Sequence, residues 1–373
     1  MNTNQSRLKI SRRNFLKIIG VAGVTAVGGY VLSEYTPWLN YDGQMENTWM
    51  APGQNSSPST QMRTLVHYAT LAANGHNTQP WKFAIKENAI EIHPDYSRHL
   101  QAVDPNNREM WISLGCALEN LMVSARGVGY SPEVTYPDAT DFINIKLTSG
   151  APKITPLFDA ISKRQNTRSE YDGKPIPGTD LDQIKSLPLE PGVNLRFVTA
   201  PAEMETVLEY VNQGNLIQYA DQTYLDELIA WLRFNKKEAL STLDGLYSRC
   251  SGNPEVPRWL GQMFVSGTKP QQQVDLDAKK LRSSPAAVVI ASQADTKTAW
   301  VRTGQVYERL ALKMTSLNIK SAFLNQPIEV SNVRSQFQSA MELDTYLPQL
   351  LVRFGYADTM LRSVRRPVDQ VLI

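Results

Sequence analysis

The sequence feature that most constrains the fold is an internal repeat. Residues 111–121 and 300–310 carry Trp, Gly, Glu and Leu in the same order. Each of these four residues in the first segment is followed 189 positions later by the same residue type in the second segment. Both segments have the apolar spacing of a helix. A Gly inside a helix costs about 1 kcal/mol relative to Ala. Gly115 and Gly304 therefore predict a close approach of two backbones, where the two helices cross.

Strand patterns accompany each copy of the repeat. Residues 81–85 and 89–93 read as a β-hairpin, and residues 195–199 are the predicted counterpart of its first strand in the second half. Residues 286–290 and 350–354 have the composition of buried strands. Because helical segments outnumber strands, we expect an α+β fold built from two half-copies.

Composition excludes several classes of protein. Of the 373 residues, 42% are hydrophobic and 20% charged, with a net charge of +2 that is scattered along the chain. A nucleic-acid-binding protein would show a clustered basic face, so no nucleic-acid partner is predicted. Two cysteines make neither a disulfide framework nor a four-thiolate zinc site. Cys116 and Cys250 are either buried and inert or joined in one bridge, and no metal is predicted.

The N-terminal segment is similar to an export signal. Residues 11–17 (SRRNFLK) resemble the twin-arginine motif and precede an apolar stretch at 18–32, shorter than the ~20 residues of a membrane span. The resemblance implies passage of a folded, cofactor-loaded protein through the twin-arginine translocation machinery. The protein is then expected in the periplasm, or anchored and facing outward, because the signal is either removed or retained. Residues 34–60 read as a linker or extended arm.

A turn in the first half carries amide side chains. Residues 72–83 read AANGHNTQPWKF. An Asn and a Gln two positions apart on a turn present both donors and acceptors, which the polar edge of a flavin ring needs. The string resembles the FMN-binding motif of the nitroreductase family, and His before Asn is typical of its exported, Acg-type branch. The resemblance assigns Asn74, His76, Asn77 and Gln79 to FMN.

Three further segments resemble other parts of that family's site. Two arginines four positions apart suit a phosphate, because guanidinium donors are forked. The basic loop at 164–168 contributes Arg164, Gln165, Asn166 and Arg168. The closing R-x-P segment contributes Arg365 and Arg366. The loop that lies against the flavin N5 edge in the family contributes Phe323, Leu324 and Asn325.

The two halves are complementary. The first half has the amide turn without a basic loop ahead of it, whereas the second has the basic loop, and its counterpart of the turn at 191–197 lacks paired amides. We therefore expect a monomer that acts as a pseudodimer with one FMN. The predicted boundaries are an export signal and linker start at 1–40, a first half at 41–150 and a second half at 151–373. A helical insertion at about 204–280 is either a lid or a packing subdomain without contact to the site.

The resemblance implies an exported FMN-dependent oxidoreductase. Electrons would pass in ping-pong order from a small-molecule donor through FMN to a nitro, quinone-like or unknown acceptor, while the protein binds and tunes the flavin. No acid–base residue is identifiable from the sequence. One alternative is a non-catalytic FMN carrier with a lid over the flavin, and another is a structural domain without a cofactor.

Overall fold

The computed structural model describes residues 29, 36, 38–50, 58–138 and 140–373, with the backbone alone at 58 and 59. The twin-arginine motif and nearly all of the apolar stretch that follows it lie outside the described residues. Across the described ranges, no helix combines the length and the apolar character needed to cross a membrane.

Helices and strands alternate along the chain. The helices are α1 (Tyr41–Trp49), α2 (Pro58–Thr70), α3 (Arg108–Gly127), α4 (Pro156–Ile161), α5 (Gly178–Lys185), α6 (Pro201–Gln218), α7 (Gln222–Trp231), α8 (Lys236–Thr242), α9 (Arg258–Ser266), α10 (Pro270–Arg282), α11 (Lys297–Ser316), α12 (Gln326–Glu329) and α13 (Ser331–Ala340). The strands are β1 (Trp81–Ile85), β2 (Ala89–Pro94), β3 (Tyr130–Thr135), β4 (Ile143–Ser149), β5 (Val193–Val198), β6 (Leu232–Arg233), β7 (Leu246–Tyr247), β8 (Ala286–Ser292), β9 (Lys320–Phe323) and β10 (Leu347–Gly355).

Two antiparallel sheets share one topology. The first has the order β1-β2-β4-β3 and the second the order β5-β8-β10-β9. In each half two strands precede a 20-residue helix and two strands follow it, with α3 in the first half and α11 in the second. The predicted hairpin is confirmed, with Trp81 opposite Pro94 and Ile85 opposite Ile90. The fold is α+β, made of two halves with the same strand order.

The two long helices cross at the repeated glycines. A Cβ on Gly115 would lie 2.0 Å from the carbonyl oxygen of Val301, and a Cβ on Gly304 would lie 2.0 Å from that of Ile112. The contact is reciprocal, since residues 301 and 112 are themselves 189 positions apart. No other side chain fits between these backbones, so the predicted crossing is confirmed.

A long excursion separates β5 from β8. In the first half the equivalent connection, between β1 and β2, is the three-residue turn at 86–88. The excursion is largely helical, as expected. Its helices α6 and α10 cover the outer face of the second sheet, where Val207 and Leu281 join the same apolar cluster as Val289. The other face of β8 packs on the central helices through Val288 and Ile290. This two-sided cover explains why β8 is apolar throughout.

The expectation of a linker as far as residue 60 is wrong for residues 41–49. These residues form α1, which Asn40 caps by accepting a hydrogen bond from the Gly43 amide at 2.8 Å. The helix is held by its two ends, since Tyr41 and Trp49 are buried. Two aromatic anchors eight positions apart do not produce the apolar periodicity by which a helix is recognised from sequence.

Candidate functional site

A cavity of about 270 Å³ lies between the two halves, close to the lower end of the roughly 300–1,000 Å³ typical of small-molecule sites. Segments far apart in the sequence form its walls. Ten of the thirteen predicted site residues line it: Asn74, His76, Asn77, Arg164, Gln165, Asn166, Arg168, Phe323, Asn325 and Arg365.

The amide turn has an unusual backbone. His76, Asn77 and Gln79 have positive φ angles of 49°, 53° and 53°, a left-handed conformation that costs residues other than Gly about 1–2 kcal/mol each. Asn and His are among the side chains that tolerate it best. The turn is held by Asn74, whose Oδ1 accepts from the Gln79 amide at 2.8 Å. Strain of this kind clusters at functional sites, where the surrounding structure enforces it.

Three predicted residues lie behind the cavity wall. The side chain of Gln79 is fully buried; its Nε2 donates to the Leu243 carbonyl at 2.8 Å, and its Oε1 accepts from the Arg366 amide at 2.8 Å. Arg366 in turn donates to the Gln79 carbonyl at 2.5 Å. Leu324 packs in the apolar cluster outside the second sheet. Gln79 and Arg366 thus connect the turn to the excursion and the C-terminal segment, and both side-chain polar atoms of Gln79 are already bonded.

Two asparagines present unpaired acceptors at the cavity. Asn77 donates from Nδ2 to the carbonyls of Gly245 and Val364 at 3.1 and 3.4 Å, while its buried Oδ1 has no hydrogen-bond partner among the described residues. The buried Oδ1 of Asn166 is likewise unpaired within the described chain. A buried polar atom without a partner costs about 1–3 kcal/mol. These oxygens therefore fit a ligand that carries N–H or O–H donors.

The basic loop and the C-terminal segment bring guanidinium groups together. Arg164 Nε lies 2.9 Å from Glu308 Oε1, an ion pair not aligned as a hydrogen bond, and its Nη2 donates to the Leu71 carbonyl at 2.8 Å. Arg365 donates to the Thr70 carbonyl at 2.9 Å and to Ser363 Oγ at 2.6 Å. Burial, followed by repulsion from Arg164, lowers the pKa of Arg365 to about 9. Arg164 and Arg365 thus hold the cavity wall in place and also make it positively charged.

Arg168 is the least engaged of these cations. It lines the cavity, yet it forms no hydrogen bond or ion pair with any residue in the described part of the chain. Burial lowers its pKa. The pKa of His76 falls to about 4 through burial and then through the charge of Arg168, so His76 is neutral at pH 7. Arg168 is half-buried, and a cation that has lost part of its hydration without gaining a counter-charge is destabilised, so this end of the cavity is suited to an anion.

An aromatic side chain from α1 closes the basic end. Arg362 and Arg365 lie over the ring of Trp49, with guanidinium carbons 4.9 and 5.2 Å from its centroid. Trp49 Nε1 donates to the Ser363 carbonyl at 2.9 Å. Arg362 also donates to the carbonyl of Ser162. Sequence reasoning missed Trp49, because nothing in its neighbourhood resembles the other site segments.

Two glutamates at the cavity were also missed. Glu109, in the first turn of α3, and Glu329, the last residue of α12, both line the cavity. Glu329 Oε2 accepts from Gln218 Nε2 at 2.6 Å. Burial raises the pKa of both carboxyls, and repulsion from Glu329 raises that of Glu109 further. An acidic residue near a helix N-terminus is common for reasons of the helix dipole alone, so the sequence carried no signal.

The excursion contributes to the cavity wall, which favours a lid over a packing subdomain without contact to the site. Its lining residues are Gln218, Tyr224, Gly245, Leu246, Tyr247 and Cys250. Cys250 lies 3.6 Å from the Tyr41 hydroxyl. Cys116 lines the cavity from α3. Both cysteines are buried free thiols whose pKa burial raises, which favours the inert alternative over a bridge.

The position related to this cavity by the repeat holds a polar network. Gln305 stands where Cys116 stands in the first half, and its Oε1 accepts from the Tyr136 hydroxyl at 2.8 Å. The Arg302 guanidinium lies 4.8 Å from the centre of the Tyr136 ring. Arg309 donates to both oxygens of Glu119 at 2.7 and 2.8 Å and to Glu190 at 2.7 Å. Arg309 is thus paired with two carboxylates, whereas Arg168 has no ion pair within the described residues.

Two Mycobacterium tuberculosis proteins are similar to this chain over most of their length. "Putative NAD(P)H nitroreductase Rv3131" is 26% identical over 324 residues, which cover 83% of this chain and 90% of that protein. "Putative NAD(P)H nitroreductase acg" is 23% identical over 325 residues, covering 83% and 94%. These similarities support a relationship to the nitroreductase family.

A solved structure of a nitroreductase with bound FMN from Desulfitobacterium hafniense matches with 13% identity and a TM-score of 0.36, covering 59% of this chain and 98% of that chain. No protein family model matches the chain.

Proposed function

We propose that this protein is an FMN-dependent oxidoreductase of the nitroreductase family, with one flavin held between two fused halves. The observation that carries the proposal is a cavity that combines the unpaired cation of Arg168 with the unpaired amide oxygens of Asn77 and Asn166. A dianionic phosphate and a ring with N–H donors would complement them.

Different residues would contact different parts of the cofactor. Arg168, Arg362 and Arg365 would hold the phosphate, with Arg164 and Glu308 fixing the loop behind it. Asn77 and Asn166 would accept hydrogen bonds from the ring.

Asn325 would face the reactive edge, because its Oδ1 is fixed by the Leu351 amide at 2.9 Å while its amide nitrogen bonds no described residue. FMN, when bound, supplies hydride and electron transfer. The protein orients it and excludes water.

The repeat supports a pseudodimer whose second site has closed. The two halves, about 41–150 and 151–373, meet through the reciprocal glycine contacts, and the polar network around Tyr136 and Gln305 fills the related position. One flavin per chain follows. The excursion at about 204–280 acts as a cover over the cavity, to which Tyr224 and Tyr247 belong.

The location and the redox partners also belong to the proposal. The motif at 11–17 supports export by the twin-arginine route to the periplasm, with the protein either free there or anchored and facing outward. That route suits a protein that must fold around its cofactor before transport. Small-molecule electron donors and acceptors of the nitro or quinone type would take turns at the flavin.

Absorbance measurements on the purified holoprotein test the proposal. NADPH or dithionite is added first, then a nitroaromatic or a quinone, with free FMN at the same concentration as the control. Bleaching of the flavin bands followed by their recovery on addition of the acceptor is the expected result. Colourless protein that takes up no FMN on reconstitution would contradict it.

The cover over the cavity favours one alternative, a non-catalytic FMN carrier. Six residues of the excursion face the cavity, and such a cover could shield the flavin from acceptors. In the same experiment a carrier would show a flavin that dithionite reduces and that quinones do not reoxidise faster than oxygen does.

A further inference from the structure

The loop at residues 243–245, between α8 and β7, bonds the amide turn of the candidate site. Its Leu243 carbonyl accepts from Gln79 Nε2 at 2.8 Å. The Gly245 amide donates to the Asn77 carbonyl at 3.2 Å, and the Gly245 carbonyl accepts from Asn77 Nδ2 at 3.1 Å. This loop of the excursion therefore holds the side chains of both Asn77 and Gln79.

The loop and the turn both have a left-handed backbone where they meet. The φ angles of Leu243 and Gly245 are 55° and 75°, and those of Asn77 and Gln79 are both 53°. Glycine adopts such angles without a Cβ clash, whereas leucine and glutamine adopt them only when their surroundings enforce it. The hydrogen bonds between the two segments supply this constraint, so the turn depends on the loop for its shape.

Asp244, at the centre of the loop, bonds two arginines. Its Oδ1 accepts from Arg233 Nη2 of β6 at 2.6 Å, and its Oδ2 accepts from Arg98 Nη2. Arg98 also donates from Nε to the Thr78 carbonyl inside the turn. The guanidinium carbons of Arg98 and Arg233 lie 5.6 and 5.8 Å from the centroid of the Trp231 ring. One carboxylate thus joins the first half of the chain, through Arg98, to the excursion.

Burial makes these contacts costly to break. The side chain of Asp244 is 8% exposed, and those of Arg98 and Arg233 are 16% and 10% exposed. Removing one member of a buried ion pair is strongly destabilising, because the remaining charge stays desolvated without compensation. Asp244 lies outside the cavity lining of the described chain, so it can affect a bound cofactor only through the residues that it holds.

We propose that Asp244 is a positioning residue for the flavin ring. It fixes the 243–245 loop, the loop fixes the turn, and the turn presents Asn77 to the ring. This inference rests on the proposed function, which assigns Asn77 to the ring. Because the loop belongs to the excursion, closing the excursion over the cavity and shaping the ring site become one event. Ring binding and closure then favour each other by the same factor.

Binding of FMN and of riboflavin to D244N tests the inference, with flavin fluorescence as the readout. Riboflavin lacks the phosphate and therefore measures the ring contacts alone. We expect D244N to weaken both ligands by the same factor of about 10–100, the size expected for hydrogen bonds to a charged group. A loss for FMN alone would place the effect at the phosphate and would overturn the inference.

E238Q is the matched control for D244N. Glu238 belongs to the same part of the excursion, where its Oε2 lies 2.9 Å from Arg258 Nη1 and accepts from the Phe234 amide at 3.1 Å. Its replacement removes a buried negative charge without touching the loop or the turn, so both flavin affinities should stay unchanged. Equal losses in D244N and E238Q would show that only the general stability of the excursion matters, which contradicts a positioning role.

Hydrogen exchange in the wild-type protein tests the coupling without any variant, so it decides the matter even if D244N fails to fold. The Gly245 amide bonds the turn, whereas the Val256 amide donates to the Phe234 carbonyl at 3.1 Å inside the excursion. At about 100 times its Kd, FMN or riboflavin should slow exchange at Gly245 by about 10-fold or more, with little change at Val256. Inorganic phosphate should slow neither amide.

The outcomes separate the inference from the proposed function. Equal slowing at Gly245 and Val256, or no slowing at Gly245 in a chain that binds flavin, would overturn the positioning role of Asp244 and leave the proposed function standing. A wild-type chain that binds neither FMN nor riboflavin would instead contradict the proposed function, and the inference with it.

Discussion

Arg168 is the residue on which anion binding most depends. Its guanidinium faces the cavity without a partner in the described chain, so a bound phosphate would be its main hydrogen-bond acceptor. Hydrogen bonds to charged groups contribute about 1.5–3 kcal/mol, and we expect R168A to weaken FMN binding by about 10–150-fold. Quenching of FMN fluorescence on titration measures this.

R282A serves as the control for Arg168. Arg282 is exposed and paired with Glu205 at 2.7 Å on the surface, so its loss changes the net charge equally without touching the cavity. Equal affinities for the two variants would show that Arg168 does not contact the cofactor.

His76 gives the protein a defined dependence on pH. Its pKa in the folded chain is about 4, below its ordinary value of 6.5, so the unfolded chain binds more protons between these values. Its contribution to stability is present above pH 6.5 and is lost as the pH falls toward 4. We expect H76N, which keeps a side chain suited to the left-handed backbone, to lose less stability over this range in urea titrations. An unchanged slope would mean that His76 is not buried as described.

At the level of elements, the helix crossing tolerates no added methyl group. A Cβ on Gly115 or Gly304 would overlap a carbonyl oxygen of the opposite helix, and neither backbone can move without separating the halves. Overpacking costs typically 1–3 kcal/mol and occasionally more, so we expect G115A and G304A each to lower the free energy of unfolding by about 3 kcal/mol.

Gly178 offers the matched comparison, because an added Cβ there meets nothing within 4 Å. G178A should leave the urea midpoint unchanged or raise it slightly. Because Ala is the better helix former, a similar loss in all three variants would mean that the close approach at the crossing is not its cause.

Helix α1 closes the basic end of the cavity through one side chain. Replacing Trp49 by Ala removes the ring under Arg362 and Arg365, so these guanidiniums become less ordered and we expect FMN to dissociate faster by about 10-fold or more, as for a cation–π contact of roughly 1–2 kcal/mol. Stopped-flow fluorescence measures the rate. W38A is the control, since Trp38 is 68% exposed; an equal rate in both variants would exclude α1 from the site.

At the scale of the molecule, the proposed pseudodimer would use the internal interface in place of a partner chain. We expect a monomer in light scattering and one FMN per chain by absorbance after release of the cofactor. Two flavins per chain would mean that the network around Gln305 opens.

The sequence predicted the architecture better than the site. The repeated Trp, Gly, Glu and Leu indicated both the two halves and the glycine crossing, because these constraints lie within single helices. Gln79 shows the limit, because whether it faces the cavity depends on Leu243 and Arg366. Spacing along one segment carries no information about such distant partners.

The reciprocal glycine crossing has a consequence for how the two related positions can change. In an assembly of identical chains, any substitution appears at both related positions. One position therefore cannot lose its ligand while the other keeps it. Joining the copies in one chain removes that restriction. Glu308 can then hold the loop of Arg164 beside an open cavity. Glu119, its equivalent in the first half, can instead pair with Arg309 in a position that side chains fill. Two related positions in one chain can therefore differ where the same positions in identical chains cannot.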